Sequence, residues 1–209
     1  MRGRFITFEG GEGSGKSTQA QLLARVLAED GTDLILTREP GGSAGAEEIR
    51  KLIVEGEPGR WNVEAEMLLF MAARSDHIAK LILPALENGR WVICDRFIDS
   101  SVVYQGIVRG YGMGMVQHLN ISMFNHALPD LTLVFDIDHE VGLARAKERG
   151  AGHMSRFDKF GPDFHARIRD AYREIAATDP NRCVVVDAGR GLKEIHDDVM
   201  NIVAKRFFR

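Results

Sequence analysis

Gly10-Gly11-Glu12-Gly13-Ser14-Gly15-Lys16-Ser17-Thr18 fits the pattern G-x-x-x-x-G-K-[ST] at each fixed position. The preceding Phe5-Ile6-Thr7-Phe8 reads as a β-strand, and Gln19 to Leu27 carries apolar residues at helical spacing. Strand, glycine-rich loop and helix in that order constrain the fold more than any other feature of the chain. Such a loop must turn successive backbone N–H groups inward on a polyphosphate, which its glycines permit, and the helix that starts near Lys16 adds the positive end of its dipole. Lys16 is then placed to reach the β- and γ-phosphates, and the Ser17 hydroxyl to ligate Mg²⁺. A nucleoside triphosphate site is implied.

The rest of the chain alternates in the same way. Apolar strand signals at Leu34–Thr37, Trp91–Cys94, Leu131–Ile137 and Cys183–Val186 follow the first strand. Helical patterns lie near Gly15–Glu29, Ala46–Val54, Val63–Glu87 (with a kink or restart expected at Pro84), Ser100–Gly106, Met113–Ala127, Val141–Glu148, Phe164–Ala177 and Leu192–Phe207. Continuous Val/Ile/Leu strands between helices predict a five-stranded parallel sheet covered on both faces, an α/β fold. With 209 residues and no repeat, low-complexity tract or linker, the chain is expected to be one domain spanning 1–209. A net charge of −3 excludes general attraction to nucleic acid or to an anionic membrane. No apolar run approaches a membrane span and no signal-peptide pattern precedes the first strand, so a cytoplasmic protein is expected. Cys94 and Cys183 lie at buried strands without a C-x-x-C partner, and the histidines show no metal-binding spacing.

Ligands of parallel sheets gather at the carboxyl ends of the strands. Glu9 and the loop follow the first strand, Arg38 the second, Asp95-Arg96 the third, and Asp136 and Asp138 the fourth. These charges are expected to converge on the polyphosphate. Asp95, an acid after a wholly apolar strand, is the candidate to hold Mg²⁺ through its water shell together with Ser17.

Phe8-Glu9-Gly10, the loop, Arg38-Glu39-Pro40-Gly41-Gly42, Ala73-Arg74-Ser75-Asp76-His77, Asp95-Arg96-Phe97, Ser100-Ser101 with Tyr104-Gln105-Gly106, and Gly142-Leu143 before Arg149-Gly150 together resemble the bacterial thymidylate kinase family, in order and spacing, over nearly the whole chain. The resemblance implies a P-loop NTPase fold with a small lid at about 149–162, and transfer of the ATP γ-phosphoryl group, with Mg²⁺, to thymidine 5′-monophosphate, giving the diphosphate for dTTP supply. It implies ATP contacts from Gly10, Gly11, Glu12, Gly13, Ser14, Gly15, Lys16, Ser17 and Thr18. It gives the acceptor nucleotide to Glu9, Arg38, Pro40, Phe70, Arg74, Arg96, Ser101, Tyr104 and Gln105, with Phe70 stacked on thymine, Arg74 bonded to the base and Tyr104 against the deoxyribose. Lys16, Glu9, Asp95, Arg96, Arg149 and Arg156 are the implied catalytic set, and a homodimer through helices on one face of the sheet is implied as well.

The residues suit this chemistry. Phosphoryl transfer needs charge neutralised around the moving group, and an acceptor phosphate needs no general base. Phe70 and Arg74 lie four residues apart, on one helix face. Glu12 stands where one branch of the family has an arginine, so the catalytic arginine is expected from the lid, as Arg149 or Arg156. Ser155 and Asp158 depart from the usual neighbours of Arg156. Two alternatives are a kinase for another nucleoside monophosphate or a deoxynucleoside, and a non-catalytic nucleotide switch. The second lacks both an Asn-Lys-x-Asp motif and an Asp-x-x-Gly after a strand.

Overall fold

The computed structural model describes residues 2–148 and 156–208. Five strands, β1 (Phe5–Gly10), β2 (Leu34–Arg38), β3 (Trp91–Asp95), β4 (Leu131–Asp136) and β5 (Cys183–Asp187), form one parallel sheet in the order β2-β3-β1-β4-β5. The helices are α1 (Lys16–Glu29), α2 (Ala44–Val54), α3 (Val63–His77), α4 (Leu83–Glu87), α5 (Ile98–Ser101), α6 (Met113–Phe124), α7 (His139–Glu148), α8 (Pro162–Thr178) and α9 (Leu192–Phe207).

The period of two along β1 sorts its side chains. Ile6 and Phe8 face α1 and α9, packing with Leu23, Leu27, Val199 and Val203. Phe5 faces the opposite core, built by Met67, Val103, Ile168 and Tyr172 among others. Glu9 falls on the Phe5 side, and so a carboxylate enters the interior beneath α8.

Two helical stretches differ from the simple periodic pattern. The run expected from Val63 to Glu87 is helical throughout but opens into a π turn over Ile78–Ile82 before Pro84. That widening accommodates a residue with no N–H to donate. The helix expected at Ser100–Gly106 is α5 passing into a second π segment, Val102–Val108.

Register sets the site. Arg38 pairs with Asp95 across β2 and β3, and Asp95 with Phe8 across β3 and β1, so β2 and β3 finish level with each other while β1 runs on two residues to Gly10, into the loop.

Candidate active site

The loop between β1 and α1 is shaped by glycine at two points. Gly13 has a φ of +67°, and a Cβ there would meet the Gly142 carbonyl oxygen at 1.8 Å, so the loop lies directly against the first turns of α7. Gly15 is left-handed at φ 84° and turns the chain into α1. Lys16 is buried and its Nζ donates to the Gly11 carbonyl at 3.0 Å. Burial, and next to it the Arg96 guanidinium, pushes the Lys16 ammonium below its ordinary pKa. A cation held in this way is electrostatically primed for an anion.

Ser17 Oγ donates to Asp95 Oδ2, joining the first turn of α1 to the end of β3. Asp95 Oδ1 is buried without a hydrogen-bond partner. A hydroxyl beside a carboxylate with an uncompensated oxygen suits Mg²⁺, which takes few protein ligands and completes its shell with water and phosphate. The donor set therefore fits the ion.

Behind the loop, Glu9 accepts from Phe97 N at 2.7 Å, Ser100 N at 3.2 Å, Ser100 Oγ at 2.6 Å and Tyr172 OH at 2.9 Å. Burial and the neighbouring Asp99 carboxylate push the Glu9 carboxyl up to about 7. Arg96 binds Glu12, Ser100 and Tyr172 and lies 5.2 Å over the Tyr104 ring.

A cleft of about 280 Å³ opens in front of these groups. Its walls include Glu12, Lys16, Ser17, Asp95 and Arg96 at one end. Arg38, Pro40 and Arg50 line its side, and Phe70, Tyr104 and Phe157 line the apolar part. Arg38 is half-exposed and bonded to both oxygens of Glu47, at 3.0 and 3.1 Å.

Several expected residues stand elsewhere. Arg74 lines the cleft but is buried and committed, donating to Glu39 at 2.7 Å, Ser101 at 3.0 Å, Asn120 at 3.3 Å and the Phe97 carbonyl at 2.9 Å. Gln105 donates to Glu66 at 2.7 Å, and Glu9, Ser101 and Gln105 are absent from the cleft wall, one layer behind it. Asp136 borders Gly11 and Glu12 of the loop in a separate, smaller cavity and not in the main cleft, and Asp138 lines neither; Arg169 binds both and Arg173 also binds Asp136. Opposite charges on α8 hold them. Arg156 is buried against Glu66, away from the P-loop wall, and Arg149 lies outside the described residues.

Sequence reasoning passed over Arg50 and Tyr172. Glu47 and Arg50 lie three apart on α2, a spacing that marks a shared face with Arg38's partner. Tyr172 sits in the α8 stripe with Ile168 and Ile175, where its spacing is that of an ordinary core residue.

A sequence profile described as Thymidylate kinase matches residues 8–199. The thymidylate kinase of Ruegeria pomeroyi is 51% identical over 201 residues, covering 96% of this chain and 94% of that protein. The thymidylate kinase of Bradyrhizobium sp. (strain ORS 278) is 48% identical over 208 residues, covering 99% and 92%. The crystal structure of thymidylate kinase from Ehrlichia chaffeensis superimposes with a TM-score of 0.76 at 33% identity, over 97% of this chain and 99% of that one. With the loop, the arginines at the strand ends and the aromatic cleft carried on the same fold, the chain belongs to the thymidylate kinase family.

Proposed function

We infer that the protein transfers the γ-phosphoryl group of ATP to thymidine 5′-monophosphate in the cytoplasm, yielding ADP and thymidine 5′-diphosphate. The observation that carries this reading is one cleft that joins a P-loop lysine, four arginines (Arg38, Arg50, Arg74 and Arg96) and an aromatic-lined recess. Phosphates of donor and acceptor meet between Lys16 and Arg96, whose charges offset the negative charge that brings two phosphates together. Ser17 and Asp95 would hold Mg²⁺ bound with ATP, which would supply further charge neutralisation at the donor phosphates. Arg38 and Arg50 take the acceptor phosphate, exchanging their present partners, Glu47 and the Pro40 carbonyl, for a dianion. Phe70 stacks on the base, Tyr104 flanks the sugar, and Arg74 and Gln105 back the recess.

Arg149 supplies the lid charge, because Arg156 is engaged by Glu66. A homodimer is supported by Leu68 on α3 and by Met115 and Ile121 on α6, which are 67%, 53% and 56% exposed. Light scattering checks it.

A panel of nucleoside monophosphates and deoxynucleosides with ATP, read by coupled ADP release, tests the function. Thymidylate should show the highest kcat/KM. Preference for another acceptor rejects the reading.

A further inference from the structure

The turn Arg156–Lys159 puts Phe157 and Asp158 in the cleft wall, and its anchor is Arg156. It is 1% exposed. Its Nε donates to the Ile53 carbonyl at the end of α2, and its Nη2 to Glu66 Oε2 on α3. Glu66 is fully buried and holds a second guanidinium, Arg109 Nη1 at 2.8 Å, while Gln105 Nε2 takes its other oxygen at 2.7 Å. Lys159 pins the far end of the same turn to the Gly56 carbonyl at 3.1 Å and to Glu57 at 2.7 Å.

Phe157 is set by that anchorage. Its ring is 4.5 Å from the Arg156 guanidinium carbon, 5.7 Å from the Tyr104 ring edge-on and 6.3 Å from the Phe70 ring. All three rings line the cleft.

An arginine that serves a transferring phosphoryl group must bring its donors and charge to that group. Arg156 has given two donors and its charge to buried protein partners, and withdrawing it would leave Glu66 with one guanidinium in a dry environment. We propose that Arg156 is a positioning residue which, through Glu66, fixes Phe157 as the third aromatic wall of the acceptor recess and so governs affinity for thymidylate. The proposal rests on the reading of that recess as the acceptor site.

The test compares wild type, Arg156→Met, Glu66→Gln, the double variant and Phe157→Ala in steady-state assays with thymidylate and ATP varied separately. Arg156→Met should raise KM for thymidylate about tenfold or more, with kcat and KM for ATP within about threefold. The double variant should be no worse than the poorer single one, because the two residues form one unit. Phe157→Ala, which leaves the ionic cluster whole, should reproduce the rise even if the other variants fail to fold. A fall in kcat by orders of magnitude with an unchanged thymidylate KM would make Arg156 catalytic and overturn the proposal. An unchanged KM in Phe157→Ala overturns it as well. Wild-type protein inactive on thymidylate in the same assay defeats the acceptor assignment instead, a result distinct from either.

Discussion

Arg96 Nη2 donates to Glu12 Oε1 at 2.7 Å, tying the residue that follows β3 to the middle of the P-loop. Arg96 has a φ of 69°, a left-handed conformation that a non-glycine residue keeps only when its surroundings hold it. Burial opposes the charge on Glu12, yet Arg96 and then Lys16 hold its carboxyl down to about 2, so the pair is ionised at any working pH.

Glu12 is therefore expected to aim Arg96. Glu12→Ala should lower kcat about tenfold and Arg96→Ala about a hundredfold or more. The double variant should match Arg96→Ala alone, since the acid acts through the arginine. Independent, multiplying losses in the same assay would show that the two residues work separately.

Lys16→Ala should lower kcat by about a thousandfold without loss of stability. Burial and the Arg96 charge both disfavour the protonated lysine, so its removal relieves the protein while disabling the site. Thermal unfolding at or above the wild-type midpoint, together with the kinetic loss, is the expected pair of results. Near-normal kcat would reject the P-loop assignment.

The arginines of the acceptor side should divide into two kinds. Arg38→Ala and Arg50→Ala should each raise KM for thymidylate about tenfold while KM for ATP changes less than about twofold. Arg74→Ala should in addition destabilise the fold by about 3–5 kcal/mol, because buried Glu39 loses its guanidinium partner. Denaturant titration measures this, and a wild-type midpoint for Arg74→Ala would contradict it.

Glu9 predicts a pH dependence. Its native carboxyl titrates at about 7 against an ordinary 4.5, because of burial and then Asp99. Between those values the folded protein holds a proton that the unfolded chain has released, so stability is lost as pH rises through the window, by up to about 3 kcal/mol. Unfolding free energies of wild type minus Glu9→Gln should fall from pH 5 to pH 8. A difference that does not change with pH would exclude Glu9 as the titrating group.

The sequence by itself determined the sheet and the phosphate end of the site, because both rest on local rules. Period-two apolar strands, the left-handed turn at Gly15 and the Lys16-Ser17 pair at a helix start are set by residues within a few positions of one another. The strand ends at Arg38 and Asp95-Arg96 follow from the parallel topology. Tertiary structure alone decided which charges reach the cleft. Arg156 resembles a lid cation in the linear chain, yet Glu66, 90 residues earlier, neutralises it. Asp136 ends its strand as Asp95 does, but α8 supplies Arg169 and Arg173 only to the former. Tyr172 reaches Glu9 over a separation of 163 residues. A charge's role depends on which partner lies within hydrogen-bond distance in three dimensions, and pairs so far apart in the chain leave no periodic trace in it.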